Sequence, residues 1–193
     1  GPLRTRTITV ELGGRTVDVE TAGGVFSPEH VDQGTLVLLR NVPEPPREGH
    51  LLDVGCGWGP VALDLAMRSP SATVWAVDVN ERALELTRAN ARSLGLENLN
   101  AVLPEDVPAD VAFSTIWSNP PIRVGKEVLH AILLDWMPRL APDADAWLVV
   151  QRNLGSDSLQ RWLVDALPTE LATSRAASDK GFRVLRVHRG ADA

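Results

Sequence analysis

The chain has 193 residues, 44% of them hydrophobic, and a formal charge of −6. That length holds one α/β domain with a sizeable core rather than two. The composition excludes a disordered chain, and the acidic balance excludes a protein that coats nucleic acid indiscriminately.

A single cysteine, Cys56, allows no intrachain disulfide and suits a reducing cytoplasm. The four histidines, His30, His50, His130 and His188, are scattered, so no metal site is expected. No apolar run is long enough to span a bilayer and no secretory signal is evident, so a cytoplasmic protein without membrane partners is expected. Basic residues gather at Arg4, Arg6 and Arg15 and again at Arg175, Lys180, Arg183, Arg186 and Arg189. They form either a local basic face or a solvated surface. Composition leaves the oligomeric state open.

In chain order, Thr5 to Leu12 and Arg15 to Thr21 alternate around Gly13-Gly14 and predict a β-hairpin. Ser27 and Pro28 predict the cap and first position of a helix reaching about Arg40. Asn41 to Gly49, with three prolines, reads as a linker. The expected division is therefore 1–49, a hairpin, loop and helix packed on the core, and 50–193, the main α/β unit, in one structural domain.

In that unit, Leu51 to Val54 is the first strand and Val61 to Arg68 the first helix. Thr73 to Val77 is the second strand, and Asn80 caps a helix from Glu81 to Leu94 that Gly95 stops. Asn100 to Leu103 and Val111 to Ser118 are strands, and Lys126 to Leu140 is a helix ended by Pro142. Ala146 to Gln151 is a strand, Ser158 to Leu167 a helix, and Leu171 to Ser174 and Phe182 to His188 close the sheet. Alternating strands and helices predict a mostly parallel sheet covered on both faces.

Asp53-Val54-Gly55-Cys56-Gly57-Trp58-Gly59 ends the first strand and opens a helix. A dinucleotide fingerprint spaces its glycines G-x-G-x-x-G; here the spacing is G-x-G-x-G. Asp53 before the turn would oppose a phosphate and favour a ligand with positive charge, such as the ammonium and sulfonium of S-adenosylmethionine. The plain alternative is a glycine turn without a ligand. Asp78 ends the second strand, where a carboxylate can bridge ribose hydroxyls; Val79 follows it. Glu105 and Asp106 follow the third strand, and Asp106 is placed to accept from an adenine amine. Each acid singly could be a turn residue or a helix cap.

The fourth strand ends in Ser118-Asn119-Pro120-Pro121-Ile122. Two prolines remove two backbone donors and stiffen the chain, leaving their carbonyls and the Asn119 side chain as acceptors. Such a corner suits a flat amino group, whose N–H bonds it could hold while the nitrogen lone pair meets an incoming methyl. A structural Asn-Pro-Pro turn is the alternative.

Together these segments resemble class I S-adenosylmethionine-dependent methyltransferases, and most closely the methyltransferase small domain family, which includes ribosomal RNA small-subunit guanine-N2 methyltransferases. The likeness runs from Thr21 to His188, with Gly24-Val25-Phe26-Ser27, Pro120 to Lys126 and Lys180-Gly181-Phe182-Arg183-Val184 matching family segments. It implies a Rossmann-like, seven-stranded sheet with an antiparallel last strand. It implies S-adenosyl-L-methionine as cofactor, held by Asp53, Gly55, Cys56, Gly57, Asp78, Val79, Glu105, Asp106, Asn119 and Phe26. It implies a catalytic corner of Asn119, Pro120, Pro121 and Ile122, and ribosomal RNA or the small subunit as partner.

The two-domain ribosomal enzymes carry an additional amino-terminal half, and no counterpart of it is expected here. Ile122 stands where many adenine and glutamine methyltransferases carry an aromatic, which shifts the expected target from adenine N6, or a glutamine amide, towards guanine N2. A non-catalytic cofactor- or RNA-binding module is the alternative of another class. Arg123, Lys126, Arg152, Lys180 and Arg183 are candidate phosphate contacts. Phe26 covers the cofactor or plugs the core. Trp58 and Trp117 line the site or pack; Trp75, Trp136, Trp147 and Trp162 read as core. Cys56 reads as a small turn residue, not a nucleophile.

Overall fold

Strand β3 (His50–Val54) lies inside the sheet and is the point from which the chain winds outward twice. The computed structural model describes residues 4–25 and 29–192. The elements are β1 (Thr5–Leu12), β2 (Arg15–Ala22), α1 (Gln33–Asn41), β3, α2 (Pro60–Arg68), β4 (Thr73–Val77), α3 (Glu81–Ser93), β5 (Leu99–Val102), β6 (Phe113–Ser118), α4 (Lys126–Trp136), β7 (Leu140–Gln151), α5 (Ser156–Ala166), β8 (Leu171–Asp179) and β9 (Phe182–Arg189).

The seven-stranded sheet has the order β5-β4-β3-β6-β7-β9-β8. Strands β5 to β7 are parallel, and β9 runs antiparallel to both neighbours. The expected mostly parallel sheet, with its last strand reversed, is what forms. From β3 the chain moves to β4 and β5, then returns to place β6 on the other side of β3. The strand order therefore reverses between β3 and β6, where doubly wound sheets open a crevice at the carboxyl ends of their strands.

Both faces are covered. Leu129, Leu133 and Trp136 of α4 and Leu159 and Leu163 of α5 close on one. Val37 and Leu38 of α1, Val61 and Leu65 of α2, and Leu84 of α3 close on the other. The hairpin turns at Gly13-Gly14, with Leu12 opposite Arg15. Its Val10, Leu12 and Val19 meet Trp58, Leu63 and Leu86, so Trp58, 1% exposed, is a packing residue.

Several boundaries differ from expectation. The cap predicted at Ser27-Pro28 lies outside the described residues; the described helix starts at Gln33, capped by Asp32, whose carboxylate accepts from Gly34 and Thr35 N–H. Helix α4 ends at Trp136, not Leu140, because Pro138 has no N–H to continue the ladder; Met137–Arg139 form one 3₁₀ turn. Pro142, expected to end that helix, sits inside β7 beside a register shift in the pairing with β6, where a missing donor is tolerated. Strand β8 runs on to Asp179, past the expected Ser174, because its partner β9 pairs with it along that length.

Candidate functional site

The glycine turn is held by its neighbour strand. Gly55 and Cys56 N–H both donate to Val77 O, at 2.8 and 3.0 Å. Gly55 (φ 78) and Gly57 (φ 56) take the left-handed region that favours glycine. Asp78, half-buried at the end of β4, accepts from Gly57 N–H at 3.0 Å through one oxygen and from Asn80 N–H at 2.9 Å through the other. Each oxygen keeps a further acceptor site for a ligand hydroxyl. Val79 beside it is 83% exposed, an apolar surface at the strand end. Glu105 and Asp106 are exposed on a 3₁₀ turn after β5.

Asp53, expected to contact the ligand, lies buried beneath the turn. Its carboxyl is 1% exposed and accepts from Ala62 N–H at 3.1 Å, so it supports the start of α2 from beneath the turn. Burial pushes it up to about 8; the Ala62 N–H opposes this and the charge of Asp78 adds to it. Cys56 is also buried, with Sγ 3.6 Å from Thr87 Oγ1. Burial, then the Asp53 charge, pushes its thiol well up, which suits the inert turn residue expected. As a ligand contact it has neither a free N–H nor an exposed side chain.

The second corner leaves the adjacent strand. Asp53 of β3 lies opposite Trp117 of β6 in register, and Ser118 Oγ donates to Val54 O at 2.8 Å. Trp117 is buried among the residues under α1 and α2, so it is core. Asn119 follows, half-buried, with Pro120 buried. A Cβ placed on Gly55 would meet only Pro121 Cδ, at 3.7 Å. The two corners thus face each other across a gap that glycine keeps open.

Asn119 Nδ2 donates to Asp32 Oδ2 at 2.9 Å and to Thr35 Oγ1 at 3.2 Å. Its carbonyl oxygen receives no hydrogen bond among the described residues. Ile122 is half-buried against the core beneath α4, and Arg123 and Lys126 are exposed just beyond it.

The remaining predicted cations lie together. Arg152, Lys180 and Arg183, joined by Arg175, line a cleft of about 400 Å³ between β7 and the β8–β9 turn. Arg183 is paired with Asp157 at 2.9 Å, while Arg152, Arg175 and Lys180 are exposed. Phe182 lines the same cleft, and its ring would lie 3.0 Å from a Cβ on Gly34, whose position is also 3.2 Å from Asn119 Nδ2. The basic cleft therefore adjoins the Asn119 corner. Phe26 lies outside the described residues. No group of three or more metal-ligating side chains occurs, and no helix is long and apolar enough to cross a membrane, among the described residues.

Sequence reasoning missed Asp32, Gly34 and Thr35, and named Arg175 only as part of a possible basic face. The signal was the Asp-x-Gly-Thr spacing, a cap followed by a residue without a side chain.

Exposed Gly55, the Asp78 carboxylate, Val79 and the Asp106 carboxylate stand at the carboxyl ends of β3, β4 and β5, an arrangement that fits a nucleoside. Comparison with known proteins finds several to which the chain is similar. YbxB of Bacillus subtilis, an uncharacterized protein, is 41% identical over 138 residues, 70% of this chain and 69% of that one. The ribosomal RNA small subunit methyltransferase C of Aeromonas hydrophila is 36% identical over 69% of this chain, which spans only 38% of that protein's length. A structure of the T. thermophilus 16S rRNA N2 G1207 methyltransferase with AdoMet and guanosine superposes with a TM-score of 0.82 over 98% of this chain and 51% of its own, at 24% identity. The methyltransferase small domain model matches residues 16–186, from the second hairpin strand through both facing corners to β9, and the chain belongs to that family.

Proposed function

We propose that the chain is an S-adenosylmethionine-dependent N-methyltransferase, that its substrate is ribosomal RNA and that its target is N2 of guanine. The observation that carries this reading is the approach of Pro121 to the open side of Gly55, which brings the acceptor corner beside the glycine turn. Gly55, Gly57, Asp78, Val79 and Asp106 would hold the cofactor, with Asp53 supporting the turn from below. The cofactor supplies an electrophilic methyl group on a sulfonium.

Asn119 Oδ1 and the Pro120 carbonyl accept the two N–H bonds of the target amine. This draws electron density back to a nitrogen whose lone pair is otherwise shared with the ring, and aims it along the gap. With its N–H bonds held by Asn119 Oδ1 and the Pro120 carbonyl, the nitrogen lone pair would take the methyl that the cofactor would supply, the cofactor would leave as a neutral thioether, and the alkylated nitrogen would release a proton to water. No strong base is required, because that nitrogen is acidic once alkylated.

The ribosomal RNA names of the relatives, and the basic cleft adjoining Asn119 on an otherwise acidic body, support an RNA substrate. Half-buried Ile122 offers no aromatic face, which favours guanine N2 over adenine N6.

The test is transfer of labelled methyl to small ribosomal subunits by the wild type and by Asn119→Ala. The variant should lose about 100-fold or more in kcat while binding cofactor within about threefold of wild type. Label entering only protein, or a wild-type rate in the variant, overturns the reading.

A further inference from the structure

We propose that Asp32 and Thr35 are positioning residues that decide which end of the Asn119 amide meets the target amine; this rests on the role given to Asn119 above. One oxygen of Asp32 does two jobs. Oδ2 caps α1, accepting from Gly34 N–H at 2.9 Å and from Thr35 N–H at 3.4 Å. The same atom accepts from Asn119 Nδ2 at 2.9 Å, and Thr35 Oγ1 accepts from that nitrogen at 3.2 Å.

The two ends of an amide have nearly the same shape and opposite hydrogen-bonding character. An ionised carboxylate only accepts, so it binds the NH₂ end and repels the carbonyl. With both N–H bonds of Asn119 taken from the α1 side, its carbonyl is left for the substrate. The flipped amide would point donors at the donors of a target amine, and the lone pair would lose its alignment.

The arrangement depends on α1 lying very close to the corner. A Cβ on Gly34 would sit 3.0 Å from Asp32 Oδ2 and 3.2 Å from Asn119 Nδ2, so a side chain there would disturb both partners. Val37 and Leu38, fully buried one turn later, hold the helix against the sheet.

Asp32→Ser keeps a good helix cap, but its shorter side chain cannot cap and reach Asn119 together. Thr35→Val removes the second acceptor at nearly constant shape. The measurements are kcat and KM on small ribosomal subunits, cofactor Kd, and Tm. Asp32→Ser should lower kcat about 10- to 100-fold, with cofactor Kd and KM within about threefold. Thr35→Val should lower kcat about threefold, and Thr35→Ser should restore it. Asp32→Asn, which retains an oxygen acceptor, should recover part of the loss.

An unchanged kcat in Asp32→Ser, or a loss that appears wholly as weaker cofactor binding, overturns the proposal. If Asp32→Ser does not fold, Thr35→Val decides: lowered kcat at unchanged Kd supports the proposal, and wild-type kcat overturns it. If Asn119→Ala is inactive while Asp32→Ser and Thr35→Val are fully active, only this inference fails. If Asn119→Ala is fully active, the proposed function fails first.

Discussion

Asp53 shows how far the fold changes the surroundings of a residue picked out from a motif. In the sequence it is an acid before a glycine turn; in the fold it is a buried carboxyl supporting Ala62 N–H. Its folded value of about 8 lies above the ordinary 3.8. Below the ordinary value it is protonated in both states. As pH rises, the unfolded chain ionises first and gains stability relative to the folded one, so the folded protein loses stability up to about pH 8. Asp53→Asn cannot titrate. Its Tm relative to wild type should therefore rise from pH 5 to pH 8, measured by calorimetry. A constant difference would mean that Asp53 ionises normally in the folded state. The glycine spacing, Asp78 and Asn119 were legible as candidates because their chemistry is local to a strand end. Asp32 and Thr35 were not, because their bonds to Asn119 span 87 and 84 residues. Only the fold brings them within reach.

At the scale of elements, α1 connects the two parts of the site. Its first turn holds Asn119, and at its far end Arg40 and Asn41 both donate to Asp179 Oδ2 at 2.9 Å. Those two hydrogen bonds, Asn41 first, hold the Asp179 carboxyl below its ordinary range. Asp179 ends β8, so the helix ties the Asn119 corner to the turn carrying Lys180. Periodicity and capping residues located most strands and helices, as at Asn80, whose side chain accepts from Arg82 N–H as a cap should. They failed where two breakers competed. Pro138 and Pro142 both follow α4, and only the sheet register shows that the second belongs to a strand. They failed again for β8, whose polar run is a strand because β9 supplies its partner.

For the whole molecule, a net charge of −6 coexists with one basic cleft. Under the proposed function, exposed Arg152 and Lys180 are candidate phosphate contacts in that cleft, whereas Arg183 is already paired with Asp157. Replacing Arg152 and Lys180 by Gln should weaken RNA binding and flatten the plot of log affinity against log salt by roughly 1 to 2 in slope. A slope equal to that of wild type would place the RNA elsewhere. The doubly wound topology was legible from alternating elements alone. The continuity of cleft and corner through Phe182 was not, since it depends on how β9 inserts beside β7.

The most direct measurement is nucleoside mass spectrometry on small-subunit ribosomal RNA from cells lacking this protein, after incubation with the purified chain and S-adenosylmethionine. The account predicts new N2-methylguanosine with the wild type and none with Asn119→Ala. Methyl groups appearing on adenine, or on protein glutamine with none on RNA, would contradict it.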